Sequence, residues 1–383
     1  MNFRKDYNDM TLKEELEILR DESIEVFNGD PMDIPCIETS DAEKLCRRPV
    51  VSVMMATYNH EPYIRRAIEG VMMQQTDFEF ELVIGEDCSQ DRTREICLEY
   101  QKKHPDKIRV LWWHENVSKL GGNSRRILAR CRGDYLAFCE GDDYWIDPLK
   151  LQKQVDLMRR TGAVFGVASS EWHYPDGRVR VDIYDDARTE LSLQDFFKHY
   201  FHTTTYLVDR KAYLECRRQH PEILYWYDCT LAWLMAATGR VCHLPDVVSV
   251  YNWTYLGVSG RPGNPKNVMM LTTQYLQFAH CSIPEIAAIG MKKAIEFLIR
   301  GIAFGIFDRN YSFDGKIRFR ALCMAGRLIR QHYGVFALLK FMMQLPRRAV
   351  KARILIFYLN HPTLMALWRR CKKAVVALRC GRL

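Results

Sequence analysis

The chain has 383 residues, of which 48% are hydrophobic and 12% aromatic, enough for one large domain or two ordinary ones with sizeable cores. Residues 1–30 are polar and acidic and contain no apolar segment, which argues against a secretory signal. The thirteen cysteines include no Cys-x-x-Cys pair. An odd number without a signal favours reduced thiols in a cytosolic compartment over a disulfide framework or a zinc site.

The net charge of +8 is unevenly distributed along the chain. Residues 315–383 contain sixteen Lys and Arg and neither Asp nor Glu, so the first 314 residues carry a net charge of −8. We therefore expect an acidic body followed by a basic tail.

Residues 276–383 are predicted to form a basic amphipathic helical region. Its apolar runs are interrupted by charged residues and prolines, so none reaches the roughly 20 residues of a membrane span. Basic amphipathic helices with Trp and Phe favour an anionic membrane interface. Helices docked on the rest of the protein, with a solvated basic face, are the main alternative. A nucleic-acid surface is less favoured, because no nucleic-acid motif accompanies the charge.

The part before this region alternates between short apolar runs and helical patterns. Residues 1–48 form an N-terminal extension, with a short helix over residues 11–20 followed by a loop. Strands are predicted at residues 49–56, 80–85, 107–112, 135–139 and 163–168, and helices at 62–75, 89–103, 123–131, 147–160 and 287–307. Such alternation is typical of an α/β fold with a mostly parallel sheet, which we assign to a domain over residues 49–275.

Polar residues gather where the predicted strands end, namely Thr57, Tyr58 and Asn59, then Asp87, then Glu140-Gly141-Asp142-Asp143. The carboxyl ends of parallel strands share one edge of a sheet, where α/β folds bind ligands. Neighbouring carboxylates repel one another, and Mg²⁺ or Mn²⁺ bound together with substrate phosphates would remove that repulsion. A solvated acidic turn is the alternative. No Gly-x-Gly-x-x-Gly or Walker A loop follows the first strand, which argues against a dinucleotide-dependent dehydrogenase and a P-loop NTPase.

Three segments together resemble a known family: residues 51–61 (Val-Ser-Val-Met-Met-Ala-Thr-Tyr-Asn-His-Glu), 85–93 (Gly-Glu-Asp-Cys-Ser-Gln-Asp-Arg-Thr) and 133–145 (Gly-Asp-Tyr-Leu-Ala-Phe-Cys-Glu-Gly-Asp-Asp-Tyr-Trp). In this order and spacing they resemble family 2 glycosyltransferases of the GT-A fold, most of all bacterial members that build surface polysaccharides. The resemblance covers about residues 49–260. It implies a GT-A α/β domain, which the basic helical C-terminal region would follow.

The resemblance also implies roles for individual residues. The donor nucleotide would be contacted by Thr57, Tyr58, Asn59, Glu61 and Asp142, and its base edge, commonly uracil, by Asp87. The metal would be held by Asp142 and Asp143, at the place of the family's Asp-x-Asp-type motif. The chain departs from the family at Ala56, where Pro is usual, and at Glu140, where Asp is usual. The alternative role of Asp87 is to stabilise a helix N-terminus.

A later predicted helix has Asp228 at its amino end. The resemblance implies that Asp228 is the general base, which takes the proton from the acceptor hydroxyl. A carboxylate that caps the helix is the alternative, and the two roles are compatible. Asn252 and Trp253 stand where the family often has a basic residue and a His, so Arg261 is a candidate for a phosphate contact.

The function implied is that of an inverting, metal-dependent glycosyltransferase. It would move a sugar from a nucleotide-diphosphate sugar, expected to be a UDP-sugar, to a lipid-linked or polysaccharide acceptor in bacterial surface glycan synthesis. Its partners would be Mg²⁺ or Mn²⁺, an acceptor that faces the loops at residues 169–205 and 252–267, and an anionic membrane, with no nucleic acid. We expect it in the cytoplasm, peripheral to the inner face of the plasma membrane. The histidines at positions 173, 199 and 202 are assigned no role.

Two alternatives come from other functional classes. A catalytically degenerate, membrane-bound module would bind nucleotide sugar without turnover. The joint presence of Asp87, Asp142, Asp143 and Asp228 argues against it. A nucleotidyltransferase would need a Gly-rich, basic loop after the first strand, and Ala-Thr-Tyr-Asn at residues 56–59 is not one.

Overall fold

The computed structural model describes residues 33–117, 122–184, 188–223, 226, 228–254, 271 and 274–307, with side chains to residue 296. Within these ranges, one compact unit comprises residues 33–254 and 281–286, and a second comprises residues 271, 274–280 and 287–307. The sheet and the candidate site belong to the first unit. The helix predicted over residues 11–20, the position of Arg261 and the predicted helices beyond residue 307 lie outside the described residues.

The amino-terminal half of the first unit alternates strands and helices as predicted. Its strands are β1 (Ile37–Thr39), β2 (Val51–Thr57), β3 (Phe80–Glu86), β4 (Ile108–Trp112) and β5 (Tyr135–Phe138), and its helices are α1 (Ile64–Met72), α2 (Thr93–Lys103) and α3 (Gly122–Arg130). The strands β4, β3, β2 and β5 lie side by side in parallel. Their carboxyl ends therefore meet at one edge of the sheet.

The second half extends the same sheet in a mixed pattern. Its strands are β6 (Tyr144–Trp145), β7 (Phe165–His173), β8 (Val179–Asp182), β9 (Glu190–Leu191), β10 (Leu207–Asp209) and β11 (Val241–Asn252). Its helices are α4 (Lys150–Thr161), α5 (Leu193–Lys198), α6 (Arg210–Gln219) and α7 (Asp228–Thr238). Of α8 (Pro284–Phe307), only residues 284–286 belong to this unit. β10 runs antiparallel between β5 and β7, β7 and β11 are parallel, and β6 pairs with β11. The α/β fold class expected from the sequence is confirmed.

The main core lies on one face of the central strands. Alternate residues of β2, β3 and β4 point to this face, and they pack with helices α1, α2 and α4 in a single hydrophobic cluster. Gly70 of α1 lies so close to β6 that a Cβ there would be 2.9 Å from the backbone nitrogen of Trp145. The Trp145 indole donates a hydrogen bond of 3.0 Å to the carbonyl of Thr204. The chain is thus anchored directly after the acidic residues.

The strand β1 contradicts an expectation from the sequence. The sequence predicted a loop up to residue 48, but Ile37–Thr39 forms β1, which pairs antiparallel with β4 at the edge of the sheet. The loop prediction was wrong at these residues. Glu38 forms an ion pair with Arg109, and Trp112 donates a hydrogen bond to Thr39. These partners are some 70 residues away in the chain, so no local pattern could reveal them.

The helices of the described ranges include none that is both long and apolar enough to cross a membrane. The domain limits drawn at residues 48 and 275 remain predictions.

Candidate active site

The acidic segment 140–143 forms a tight turn between β5 and β6. The N–H of Gly141 donates to the carbonyl of Ala56, so the turn lies against the end of β2. A Cβ at position 141 would be 2.5 Å from the Thr57 hydroxyl and 2.9 Å from Nδ1 of His60. A side chain other than hydrogen would push the turn away from the β2 loop. Gly141 therefore permits the close approach of these two loops.

The carboxylates of this turn are crowded. Burial raises the pKa of Glu140 to about 7, and the charges of Asp142 and Asp228 add to the effect. Burial also raises the pKa of Asp142, against the influence of His60, and raises the pKa of Asp143 well above its ordinary value, together with the neighbouring carboxylates. Among the described residues, no Lys or Arg is within ion-pair distance of Glu140, Asp142 or Asp143; the nearest cationic candidates are histidines, at 3.8 Å from Asp142 and 4.0 Å from Asp143.

Asn252 at the end of β11 holds the acidic turn from the other side. Its N–H donates to Oδ1 of Asp143 at 2.8 Å, and its side-chain amide donates to the carbonyl of Asp142 at 2.7 Å. Asp143 is 2% exposed, whereas the Asp142 side chain is 16% exposed. Asp142 is therefore the more accessible of the two proposed metal ligands, and Asp143 is partly engaged by the protein itself.

Asp228 belongs to the same cluster. It is the first residue of α7, and one carboxylate oxygen accepts a hydrogen bond of 2.7 Å from the N–H of Cys229. The other oxygen accepts a hydrogen bond from the Tyr200 hydroxyl. The effect of Asp228 on the pKa of Glu140 shows that its charge is felt within the acidic turn.

The segment 200–205 contacts several of these carboxylates, although the sequence predicted for it only a place in the acceptor-facing loops. Besides the Tyr200 contact, the Thr203 hydroxyl donates to Glu140 at 3.4 Å. His202 lies near Asp143 and stacks on Tyr251 with ring centroids 4.1 Å apart. Burial lowers the pKa of His202 to about 3, so the ring is neutral at ordinary pH. The only sequence signal was a run of Tyr, His and Thr.

The predicted nucleotide contacts surround the ends of β2 and β3. Asn59 has a positive φ of 54°, and its side-chain oxygen accepts from the N–H of Gln90 at 2.8 Å. The Glu61 carboxylate accepts from the N–H of Arg92 at 3.1 Å. These bonds join the loop after β2 to the loop after β3. Tyr58 is 41% exposed beside them.

Asp87 is almost fully buried at the end of β3. Its N–H donates to the carbonyl of Thr57, and one carboxylate oxygen accepts from the N–H of Val117 at 2.7 Å. The Asp87 side chain thus supports the local backbone. The structure brings Thr57, Tyr58, Asn59, Glu61 and Asp87 to the same edge of the sheet as the acidic turn.

Aromatic rings continue the site beyond Asn252. Trp172 contacts Tyr251 with centroids 5.0 Å apart, and Tyr174 stacks on Trp253 at 5.6 Å and 25°. Trp172 and Tyr251 lie near the carboxyl ends of β7 and β11, and Tyr174 and Trp253 directly follow these strands. Except for Tyr251, these half-buried residues belong to the segments expected to face the acceptor.

Residues 52–217 match a family model described as glycosyl transferase family 2. This domain belongs to that family. The family 2 domain covers β2 to α6, including the acidic turn, while Asp228 and Asn252 lie beyond the matched residues.

Several curated relatives resemble the chain over this region. It is 31% identical over 211 residues to an uncharacterized protein of Mycobacterium tuberculosis, covering 52% of this chain and 58% of that protein. It is 31% identical over 165 residues to a putative teichuronic acid biosynthesis glycosyltransferase, TuaG, of Bacillus subtilis, covering 43% and 64%. It is 26% identical over 170 residues to the dTDP-rhamnosyl transferase RfbG of Shigella flexneri, covering 43% and 56%. The chain spans about three-fifths of the length of these relatives.

Among solved structures, residues 1–349 of TarS from S. aureus have the same fold. The TM-score is 0.51 at 18% identity, covering 80% of this chain and 86% of that one. The complex of TarS with UDP-GlcNAc gives a TM-score of 0.52 at 19% identity, with the same coverage. The GT-A fold implied by the sequence motifs is therefore confirmed.

Proposed function

We propose that this protein transfers a sugar, with inversion, from a nucleotide-diphosphate sugar to a hydroxyl of a polysaccharide or lipid-linked acceptor in surface glycan synthesis. The observation that carries the proposal is the gathering of Glu140, Asp142, Asp143 and Asp228 in one cluster at the ligand-binding edge of a family 2 domain. The named functions of TuaG and RfbG agree with this class of reaction.

Asp228 is the proposed general base. Its carboxylate would take the proton from the acceptor hydroxyl while that oxygen attacks the anomeric carbon, a role typically worth about 10²–10⁴ in rate. The Tyr200 hydroxyl would orient the carboxylate through their hydrogen bond. A single displacement of this kind needs no covalent sugar–enzyme intermediate, so it inverts the anomeric configuration.

The acidic turn fits a divalent cation. Its oxygen donors are of the kind that Mg²⁺ and Mn²⁺ prefer. The pKa values of Asp142 and Asp143 are raised, and no Lys or Arg of the described residues forms an ion pair with these carboxylates. Asp142 would be the principal ligand and Asp143 the second. When bound, the cation would neutralise the departing diphosphate. The buried Thr57 hydroxyl, which has no hydrogen-bond partner among the described residues, faces the same turn.

The donor is proposed to be a UDP-sugar. The family resemblance supports this choice, as does the complex of the similarly folded TarS with UDP-GlcNAc. Thr57, Asn59 and Glu61 would line the nucleotide, with the exposed Tyr58 beside it, and Asp87 would face the base. The rings of Trp172 and Trp253 would contact the acceptor.

The test is incubation of the full chain with a pool of nucleotide sugars and Mn²⁺ or Mg²⁺. We expect release of UDP from one UDP-sugar, and loss of this release after chelation or in Asp142→Asn. The matched control is Asp176→Asn, an exposed carboxylate in the β7–β8 turn. Equal UDP release after chelation or in Asp142→Asn would contradict the proposal. Binding of the sugar nucleotide without any release would support a degenerate binding module instead. NMR of the product anomer tests inversion.

We also propose that the basic region over residues 276–383 attaches the protein to anionic lipid, at the inner face of the plasma membrane. The support is its sequence: sixteen basic and no acidic residues from 315 onward, each worth about 1 kcal/mol near an anionic surface. The full chain should sediment with phosphatidylglycerol vesicles at low salt and not with phosphatidylcholine vesicles. Replacing Arg347, Arg348 and Lys351 by Gln should weaken this binding. Equal recovery with neutral vesicles, or none with anionic ones, would contradict it.

A further inference from the structure

A second group of metal-type ligands lies at the end of α6, and it shares no residue with the acidic turn. His220 directly follows the helix, Glu222 is two residues further, and Cys281 belongs to the 281–286 segment of the same compact unit. A ring nitrogen of His220, a carboxylate oxygen of Glu222 and Sγ of Cys281 all lie within 4.8 Å of one another. Three side chains from two distant parts of the chain thus converge on one point.

The side chains are already close to the positions that a bound ion would need. Nδ1 of His220 is 3.1 Å from Oε1 of Glu222, and the Ser282 hydroxyl lies 3.2 Å from that nitrogen. The N–H of Ser282 donates to the same Glu222 oxygen at 3.2 Å. Ligand atoms in a tetrahedral zinc site with bonds of about 2.0–2.3 Å are separated by comparable distances. All three ligand atoms would have to lie about 2.0–2.3 Å from one ion.

Most of the group is buried. His220 is 5% exposed and Cys281 is 6% exposed, so two of the three ligands are shielded from water. The only ion-pair partner of Glu222 in the described ranges is His220. A divalent cation would compensate the Glu222 carboxylate and a Cys281 thiolate together.

The ligand types select the metal. Mg²⁺, Ca²⁺ and Mn²⁺ prefer oxygen ligands, whereas one nitrogen, one sulfur and one oxygen donor fit Zn²⁺, which binds Cys, His and carboxylates tetrahedrally. We propose that His220, Glu222 and Cys281 bind one Zn²⁺, with water in the fourth position. The ion would tie residues 281–286, where α8 begins, to the end of α6.

This proposal departs from the expectation of no zinc site. That expectation relied on the absence of Cys-x-x-Cys pairs and on an odd number of cysteines without a secretory signal. A His-x-Glu sequence completed by a cysteine about 60 residues later leaves no such local signature.

The test uses the purified full chain and zinc or cobalt as the only added metal. After incubation with Zn²⁺ and gel filtration, elemental analysis should find one zinc per chain, beyond any held by the acidic turn. Asp142→Asn should retain this zinc, and so should Cys131→Ser, a buried cysteine outside the group. His220→Ala and Cys281→Ser should each lose it.

Cobalt spectra distinguish a site with a thiolate ligand from a site with only carboxylate ligands. With Co²⁺ the native chain and Asp142→Asn should show tetrahedral d–d bands and a thiolate-to-cobalt charge-transfer band, which Cys281→Ser removes. Chelation should lower the Tm of the native chain but leave that of Cys281→Ser unchanged. Absence of the charge-transfer band from the native chain would overturn the proposal, whether or not the variants fold. Its persistence in folded Cys281→Ser would also overturn it.

Discussion

Two regions of the sheet bury carboxylates and treat them in opposite ways. Near the amino ends of the strands, Glu81 of β3 is 1% exposed and is surrounded by partners. Arg132 approaches its carboxylate to 2.6 Å, Arg109 to 3.2 Å, and the Ser52 hydroxyl to 2.6 Å. Burial would raise the pKa of Glu81, but these hydrogen bonds and charges together lower it.

At the carboxyl ends, burial raises the pKa values of Glu140, Asp142 and Asp143, and neighbouring carboxylates raise those of Glu140 and Asp143 further. No Arg or Lys within the described ranges forms an ion pair that offsets these effects. We infer that the paired carboxylate of Glu81 stabilises the fold, whereas the unpaired carboxylates of the acidic turn are available for a ligand. A carboxylate whose charge is already compensated by two arginines has little tendency to bind a cation. A carboxylate that is left uncompensated destabilises the empty site and favours a cation or a reacting proton.

The largest predicted effect is at the carboxyl ends of the strands, where the acidic turn lies. Asp228→Asn should lower kcat for sugar transfer by about 10²–10⁴-fold, because an amide cannot take the acceptor proton. The variant keeps the size of the side chain and an oxygen that can accept from Tyr200 or Cys229, so the fold should be unchanged by circular dichroism. Asp176→Asn is the control. A kcat equal to that of the native chain would remove Asp228 from the reaction.

Near the amino ends of the strands, where Glu81 is paired, the predicted effect is on the free energy of unfolding. Glu81→Gln leaves the charges of Arg109 and Arg132 without their shared partner, and breaking a buried ion pair costs about 3–5 kcal/mol. Urea unfolding measures the loss. Glu99→Gln, which removes an exposed carboxylate paired with Arg65 and Lys103, should leave stability almost unchanged. Equal losses in the free energy of unfolding for Glu81→Gln and Glu99→Gln would contradict the stabilising role of the buried ion pairs.

Lys150 adds a buried amine to the comparison, and this amine forms no ion pair with the acidic turn. Its amine donates to Gln154 and lies over the Trp145 ring, and burial lowers its pKa to about 7 from 10.5. The unfolded chain thus binds more protons between pH 7 and 10.5, so native stability rises over that window.

Lys150→Met removes this titration. The variant should be more stable than the native chain by on the order of 3 kcal/mol below pH 7, and the advantage should shrink as the pH approaches 10.5. Urea unfolding at several pH values measures the difference. A difference in the free energy of unfolding that stays constant across that window would show that burial does not lower the pKa of Lys150.

The smallest predicted effect concerns Glu140. Its folded pKa of about 7 lies above the ordinary value of 4.5, so its contribution to stability is full below pH 4.5 and is lost as the pH rises through 7. Glu140→Gln should therefore stabilise the metal-free protein by about 1–2 kcal/mol above pH 7 and very little at pH 4.5. Added Mn²⁺ should reduce the gain, because the cation would already compensate the native carboxylate. A gain that is independent of pH would contradict this account.

The order of the elements and the three loops at the sheet edge could be predicted from the sequence. Apolar runs of strand length alternate with helical patterns over residues 49–160, and polar residues follow each run directly. Because parallel strands bring their carboxyl ends together, the meeting of Thr57, Asp87 and Asp142 required only local pattern and topology. The fold and the family were accessible for the same reason.

The contacts that shape the site depend on packing. Tyr200 and Asp228 are 28 residues apart, and Asn252 and Asp143 are 109 apart. The antiparallel insertion of β10 between β5 and β7 places segment 200–205 beside the acidic turn, and β6 pairing with β11 brings Asn252 there. Such side chains carry no periodic signal of their own. Only the packed sheet decides which carboxylates obtain partners and which remain available for a ligand.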